Sequence, residues 1–496
     1  MFLTSSNRAR RKSVLILGTA ADGPVENPIQ LVRIEDADVL FGGDKAGATL
    51  LRGVHEAVAA GAGDIRMMRL GGSEVTYASL TLKTKVTSKD VITIRGRYPG
   101  SVYHTVKVAV TAADITVTNR AGVGHKYTLA DYTTVGALIN AINADRTSDV
   151  GAVLAGETLA SDAIPDLATV AATALTGGKD GCGMTDANLI TAAKKAYALV
   201  EDYAVDIIVP CGVYITYTLD EAGGTVTATA AQDLAEHCYA ASQRTGERHG
   251  IIALKPLDEV TLETIGELVS TLKKDSNPNE YIHPIEVDDS GNPLDVGKYI
   301  SIICAEPLFP DVDSISYATD GAAAYAGLIT TLAAESATTN KLVRNAAGVR
   351  YQLSAGQLDD ITAHRYVTFT YRPGRGVTVV DGMTAAKSGS DYTRLSTVMI
   401  VNEAVNAVRT ATEPFIGEAG SPQHFNSMNT AIDSALGAMK VPGASGSAPL
   451  QDYRFEILAN AMDIARGEAT IELILVPAFE LRRIRTIVTI KASIAQ

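Results

Sequence analysis

A glycine-rich stretch that leads into a predicted helix is the part of this sequence that most resembles a phosphate-binding loop. It reads TGGKDGCG over Thr176–Gly183. A Walker loop has the pattern G-x-x-x-x-G-K-[ST], whereas here Thr173 takes the place of the first glycine and Asp180 follows Lys179. An anionic side chain would stand where the phosphate binds, so the sequence predicts a structural turn.

Five oxygen-bearing side chains cluster in a second stretch and could suggest a calcium site. They are Glu286, Asp288, Asp289, Asn292 and Asp295. Their spacing misses the EF-hand register, and Pro293 breaks the geometry of such a loop. A solvated turn is therefore the better prediction.

The histidines and cysteines also show no spacing typical of catalysis or metal binding. The eight His residues contain no HxxxH or HExxH pair, and His237 and Cys238 would point from different faces of one helix. The four cysteines have no CxxC spacing and are expected to be reduced and buried. We expect no catalytic residue, metal or cofactor. Because an active site assembled from distant residues leaves no local pattern, a soluble α/β enzyme with an appended β domain remains the alternative.

Basic residues are concentrated at the two ends of an otherwise acidic chain. The net formal charge is −13, which argues against a general nucleic-acid binder. Basic side chains without acidic neighbours occur within 1–12 and 481–496; they are Arg8, Arg10, Arg11, Lys12, Arg482, Arg483, Arg485 and Lys491. Such charges either protect an exposed strand edge from aggregation or dock a basic arm on an acidic neighbour. Charge alone favours the first interpretation, protection of an exposed strand edge from aggregation.

The sequence contains no segment typical of membrane insertion or secretion. No apolar run approaches the ~20 residues needed to span a bilayer. The start, RARRKSVLILG, has too short an apolar run for a signal peptide and is expected to be the first β-strand.

The last residues, LRRIRTIVTIKASIAQ, have the alternation of a β-strand. One face of this predicted strand would carry Ile484, Thr486, Val488 and Ile490. The other face would carry Arg485, Ile487, Thr489 and Lys491. An apolar strand with a free edge invites pairing with another chain, so whatever receives it should indicate the function.

The order of predicted elements indicates an α/β protein with several domains, α+β in its C-terminal part, in which helices cover a largely parallel central sheet. The predicted parts are an N-terminal arm (1–12), the first part of the core domain (13–73), an inserted mostly-β domain (74–176), an α/β middle domain (177–347), a C-terminal α+β inner domain (348–480) and an extended C-terminal arm strand (481–496). Predicted helices include Val135–Ala144, Asp320–Leu342, Tyr392–Thr410 and Pro422–Met439, and a hairpin is predicted to turn at Pro373–Gly376.

Several motifs follow one another in a fixed order through nearly the whole chain. They are VLILGTAADGPVENPIQLVRIEDADVLFGG, GRYPGSVYH, LTGGKDGCGMTDANLITAAKKAYALVEDYAVDIIVP, AAAYAGLITTLAAESATTNK, VTVVDGMTAAKSGSDYTRLSTVMIVNEAVNAVR and ARGEATIELILVPAFELRRIRTIVTIKA. Each motif alone is weak. In this order they resemble the contractile tail sheath proteins of bacteriophages and the sheaths of related contractile injection particles.

The resemblance implies a structural subunit that stacks in rings, usually of six, around a tail tube and contracts to drive the tube through the host envelope. The implied partners are other copies of the chain, the tail tube protein, and the baseplate and tail-terminator proteins, with no nucleic acid and no membrane contact by the subunit itself. The implied location is the tail sheath of a virion, after synthesis in the host cytoplasm. A tailocin or secretion-type contractile injection system is the alternative within this class.

The resemblance also implies which residues contact other subunits. Exchange of the C-terminal strand would use Arg482, Arg483, Ile484, Arg485, Thr486, Ile487, Val488 and Ile490. The N-terminal arm would use Arg8, Arg10, Arg11 and Lys12. Only twelve residues precede Ser13, where many members have a longer extension, so this arm is expected to be shorter or differently arranged. The C-terminal domain of the family lies against the tube, which makes the helix Pro422–Met439 and Lys440 candidates for tube contact.

Overall fold

A computed structural model of the 496-residue chain describes residues 12–43, 45–220, 224–244, 246–274, 295–310, 316–387, 389–443 and 446–480. The elements before residue 74 are strands β1 (Val14–Gly18), β2 (Ile29–Gln30) and β3 (Ile65–Arg69) and helices α1 (Ile34–Phe41) and α2 (Leu50–Ala60). The sequence predicts strands at VLILG and IRMMRLGG with a helical stretch around Ala48–Ala60 between them, and β1, α2 and β3 confirm this order. Helix α1 is an addition that the sequence pattern does not indicate.

Residues 74–180 fold mainly as small antiparallel sheets. The elements are β4 (Val75–Thr76), β5 (Ser79–Lys83), β6 (Asp90–Gly96), β7 (Lys107–Val110), β8 (Asp114–Thr118), β9 (Gly124–Thr128), α3 (Val135–Ala144), β10 (Val150–Leu154), β11 (Val170–Ala174) and β12 (Lys179–Asp180). Strands β5, β6 and β10 form one sheet, and β7, β8, β9 and β11 form another. Buried residues from Ala78 to Leu175 make a hydrophobic cluster of their own, and the pairing of β4 with β12 joins the two ends of the unit.

The next part of the chain alternates helices with buried strands. Its elements are α4 (Asp186–Leu199), β13 (Ile207–Pro210), β14 (Tyr214–Tyr217), β15 (Val226–Thr227), α5 (Thr229–Arg244), β16 (His249–Leu254), α6 (Leu262–Lys274), β17 (Ile300–Ile303), β18 (Pro307–Pro310), β19 (Ser316–Ala318) and α7 (Ala322–Thr330). The sequence predicts three helices that each lead to a strand, at Asp186–Glu201, Ala231–Arg244 and Leu257–Lys274, and α4, α5 and α6 confirm them.

The predicted long helix over Asp320–Leu342 is wrong, because α7 ends at Thr330. Thr330 and Thr331 donate their hydroxyls to the carbonyls of Gly327 and Leu328, at 2.7 and 2.8 Å. Such local bonds compete with the helical ladder. The alanine-rich residues that follow have a helix-forming composition, but they form turns instead.

The last part of the body contains two hairpins and the longest helices. Its elements are β20 (Gly348–Val349), α8 (Ala355–Ala363), β21 (Tyr366–Val367), β22 (Phe369–Arg372), β23 (Gly376–Val379), α9 (Leu395–Thr412), α10 (Pro422–Ala438), β24 (Leu450–Leu458), α11 (Ala461–Arg466) and β25 (Thr470–Pro477). The hairpin predicted at Pro373–Gly376 is confirmed as β22–β23. Helices α9 and α10 confirm the predicted helices Tyr392–Thr410 and Pro422–Met439. Ser421 caps α10 by accepting from the amide of His424.

A parallel sheet organises the body. Its parallel strands lie in the order β21–β17–β16–β13–β1–β3, and β2 closes the β3 edge in the antiparallel sense. Val14 and Ile16 face one hydrophobic cluster, shared with α2, α7 and α9. Leu15 and Leu17 face another, shared with α4, α5 and α6. A sheet buried on both faces explains why VLILG is continuously apolar, and the α/β fold class is confirmed.

No helix in the part of the chain that the structure describes is long and apolar enough to cross a membrane.

Candidate assembly surface

The edge of the central sheet where doubly wound proteins bind ligands is occupied by protein atoms. Strand order reverses between β1 and β13, which is the usual ligand position. Thr49, just before α2, fills this point: its hydroxyl donates to the Cys211 carbonyl at 2.8 Å, and the Thr19 amide donates to it at 3.1 Å. Gly212 permits the approach, since a Cβ there would lie 2.6 Å from Thr49 Cγ2.

The glycine-rich loop of residues 176–183 connects the inserted unit to the body. Asp180 pairs with Lys45 and accepts a hydrogen bond from Ser101 Oγ at 2.6 Å. Burial acts to raise the pKa of Asp180, but the bonds from Lys45 and Ser101 outweigh it and lower the pKa to about 2. The predicted structural turn therefore carries an anchoring carboxylate.

The other sequence candidates for chemistry have structural partners. Asp295 accepts from the Lys387 amide at 3.0 Å, while residues 286–292 lie outside the described part of the chain. His237 stacks on Tyr197 with ring centroids 5.0 Å apart. Burial, followed by the nearby Arg248, lowers the pKa of His237 to about 3. Among the described residues, no group of three or more His, Cys, Asp or Glu side chains is placed to hold a metal.

The β24–β25 hairpin is the feature best suited to receive another chain. It is a two-stranded antiparallel sheet whose outer edges pair with no other described strand. Phe455, Ile457, Leu473 and Leu475 pack against the main core. Ile474 is 61% exposed and Phe479 is 75% exposed. Open strand edges beside exposed apolar side chains are what strand addition requires.

A groove of about 540 Å³ separates β25 from α9. Its apolar walls include Val398, Val401 and Val405 on the helix side and Leu473, Leu475 and Phe479 on the strand side. Glu247, Lys298 and Tyr392 form a polar end, where Lys298 Nζ lies 4.4 Å from the centroid of the Tyr392 ring. The groove therefore lies on the face of the hairpin that carries Leu473 and Leu475 and turns toward α9.

Lys12, the one predicted N-terminal arm residue within the described part, is anchored on the body. Its Nζ donates to the Leu332 carbonyl at 2.8 Å. Burial lowers the pKa of Lys12, against the opposing effect of Glu403, Asp206 and Glu335. Next to it, Ser13 donates to Asp206 Oδ2 from both its amide and its hydroxyl, at 2.7 and 2.9 Å.

Glu480, immediately before the predicted C-terminal arm, is also anchored. Its Oε2 accepts from Ser396 Oγ at 3.1 Å, and its Oε1 lies 3.3 Å from Arg394 Nη1. The same Nη1 lies 2.6 Å from Asp381 Oδ1. Burial raises the pKa of Glu480, while Arg394 acts to lower it. Sequence reasoning missed this cluster, although Glu480 is the single acid at the head of a basic tail.

Lys440 lies just beyond the end of α10. Its Nζ is 2.9 Å from Asp452 Oδ1 on β24 and 5.5 Å from the centroid of the Tyr453 ring. Both partners of this ion pair are exposed, so the pair contributes little to stability.

The remaining predicted arm residues lie outside the described part of the chain. They are Arg8, Arg10 and Arg11 at the N-terminal end and all those from Arg482 to Ile490 at the C-terminal end.

No protein-family model matches the sequence, and no curated protein matches it either. Solved structures do match. The sheath tail protein of Desulfitobacterium hafniense is 12% identical, with a TM-score of 0.57 over 96% of this chain and 99% of that one. The sheath tail protein of Listeria innocua is 12% identical, with a TM-score of 0.55 over 94% and 95%. The helical sheath of the anti-feeding prophage in its contracted state is 10% identical, with a TM-score of 0.51 over 97% and 93%. This chain therefore has the fold of sheath tail proteins.

Proposed function

We propose that this chain is the structural subunit of a contractile tail sheath, which stacks in rings around a tail tube and contracts to drive the tube through an envelope. The observation that carries the proposal is the extent of the fold match. It covers 96% of this chain and 99% of the Desulfitobacterium hafniense protein, so the match includes the inserted unit and the C-terminal hairpin as well as the common α/β core.

Strand exchange is the contact that we propose between subunits. The open β24–β25 hairpin supplies an acceptor, and the alternating sequence of residues 481–496 supplies a donor. At ~3.3 Å per residue these sixteen residues reach roughly 50 Å, enough to enter an adjacent subunit. Main-chain hydrogen bonds would hold the donated strand while the subunit bodies move past one another.

The working cycle that we propose consists of two packings of one folded subunit. The extended arrangement would be metastable, and contraction would repack the bodies while the exchanged strands stay paired. A small gain for each subunit, summed over many subunits, would supply the work. The tube, baseplate and terminator proteins would be the partners, with Lys440 and α10 as candidates for tube contact.

A tailocin or other injection particle is the second candidate. It is supported by the similarity to the anti-feeding prophage sheath, whose structure holds the contracted state. Both candidates share one subunit mechanism, and the particle in which the chain is found would distinguish them.

Electron microscopy of the purified chain tests the proposal. We expect hollow striated tubes or stacked rings from the full chain, and a folded monomer without tubes after deletion of Leu481–Gln496. A full chain that remains a monodisperse monomer would contradict the proposal and favour a soluble enzyme. Normal tubes from the truncated chain would contradict strand exchange alone.

A pair of adjacent substitutions provides a matched control for the deletion. Val488→Asp introduces a charge on the face that carries Ile484 and Ile490, which would be buried against the recipient, and Thr489→Asp introduces the same charge on the opposite face. Because successive strand residues point to opposite sides, we expect Val488→Asp to abolish tubes and Thr489→Asp to allow them.

A further inference from the structure

Both ends of the described chain meet at the first turns of α9. Lys12 lines a small pocket together with Leu395, Ser396 and Met399. Glu480 accepts its hydrogen bond from the same Ser396. The two chain ends thus lie beside one short segment of helix, although most of the chain separates them in sequence.

The N-terminal attachment joins three separate parts of the body. Lys12 bonds the turn after α7 through the Leu332 carbonyl at 2.8 Å, and it lines the same pocket as the start of α9. Ser13 continues the attachment by bonding Asp206 just before β13. A pull on the residues before Lys12 would therefore act on the turn after α7, which lines the same pocket as the start of α9, and on the segment before β13.

The C-terminal attachment is a shielded ion cluster. The side chains of Asp381, Arg394 and Glu480 are 7%, 14% and 11% exposed. Charges this far from water interact more strongly than a surface pair, because the effective dielectric is lower. Ser396, 5% exposed, completes the cluster. A pull on the residues after Glu480 therefore reaches α9 through Arg394 and Ser396.

We propose that Lys12, Arg394, Ser396 and Glu480 form a stem junction, which passes tension from one arm of a subunit to the other across the first turns of α9. This inference rests on the proposed function. Tension between neighbouring subunits would be balanced within this small junction. The central sheet and the inserted unit would then carry little of it and could move as undeformed bodies.

A junction in series makes a specific prediction about additivity. Lys12 and Glu480 would be two links of one path, so breaking either link interrupts the same path. Tubes of the double variant should then lose subunits no faster than tubes of the single variant that loses them faster. Two independent anchors would instead add their free energies, so that their effects on a rate would multiply.

The experiment measures how fast subunits leave preformed tubes in moderate urea, for the full chain and for Lys12→Ala, Glu480→Ala and the double variant. We expect each single substitution to raise the dissociation rate about tenfold, as expected for the loss of a charge-assisted bond. We expect the double variant to match the faster single variant. A double variant faster by the product of the two effects would overturn the junction, and so would unchanged single variants.

Two further variants keep the test interpretable. Lys273→Ala removes an exposed ion pair with Asp360, 2.9 Å long and away from α9, and should leave the rate unchanged. If alanine at Glu480 prevents folding, Glu480→Gln retains the shape and removes the charge, and it enters the same comparison. Absence of tubes from the unsubstituted chain would overturn the proposed function and this inference together, whereas tubes with multiplying effects would overturn the inference alone.

Discussion

At the scale of single residues, a buried arginine connects the inserted unit to the body. The Arg69 side chain is fully buried. Its Nη1 donates to the carbonyls of Gly23 and Pro99, both at 2.9 Å, and its Nη2 donates to the Asp180 carbonyl at 3.0 Å. One side chain thus joins the turn after β1, the inserted unit and the loop that returns from it.

Replacing this arginine tests how firmly the inserted unit is held. Arg69→Met leaves three buried carbonyls without donors, which should lower the free energy of unfolding by about 3 kcal/mol or more. Arg66→Met, on the same strand but half-buried and with only long hydrogen bonds of 3.3 and 3.4 Å, should change it by only about 0.5 kcal/mol. Urea unfolding of each variant measures these changes in the free energy of unfolding. Equal effects of the two substitutions would contradict the role assigned to Arg69.

A pair of buried carboxyl groups makes stability depend on pH. Thr319 donates to Glu56 Oε2 at 2.8 Å. Burial, with a further contribution from the neighbouring Asp320, raises the pKa of Glu56 well above its usual range. Burial likewise raises the pKa of Asp320. The native state therefore holds a proton that the unfolded chain releases near pH 4.

Removing this titration should change the pH profile of stability. The stabilising effect of the bound proton is complete below the unfolded pKa and is lost as pH rises through the raised native pKa. We therefore expect Glu56→Gln to gain stability relative to the unsubstituted chain as pH rises from 5 to 9, measured by urea unfolding. For Glu263→Gln, on an exposed part of α6, the free energy of unfolding should change with pH in the same way as for the unsubstituted chain. A parallel profile for Glu56→Gln would contradict the account.

At the scale of elements, a glycine sets the distance between α2 and α7. A Cβ at Gly327 would lie 2.4 Å from the Ala57 carbonyl oxygen and 2.8 Å from Ala60 Cβ. The two helices therefore pack backbone to backbone on one face of the central sheet. Their separation depends on the absence of a side chain.

Adding a methyl group at two helical glycines separates packing from helix propensity. Gly327→Ala should destabilise the protein by about 1–3 kcal/mol, because the helices must move apart. Gly266→Ala, within α6, meets no atom within 4 Å and should stabilise by about 0.5–1 kcal/mol. Thermal unfolding distinguishes the two signs. Stabilisation by Gly327→Ala would show that the contact is looser than the distances imply.

At the scale of the whole molecule, three regions have distinct architectures. The parallel sheet is covered by helices on both faces, and the inserted unit has its own hydrophobic cluster. The C-terminal hairpin keeps open edges beside the point where the chain leaves at Glu480. In the proposed sheath, rigid bodies would move while paired strands hold them together, and the stem junction would join the two strands of each subunit.

The sequence by itself determined the features that depend on local pattern. Apolar runs and helix periodicity predict the parallel sheet and the helices α4, α9 and α10, and alternation predicts the hairpin β22–β23. Tertiary structure alone decided the features that depend on distant partners. It buried Arg69 among the carbonyls of Gly23, Pro99 and Asp180. It also placed Lys12 and Glu480 beside the first turns of α9. The sequence could not predict these features, because contacts between residues far apart in the chain leave no trace in local periodicity.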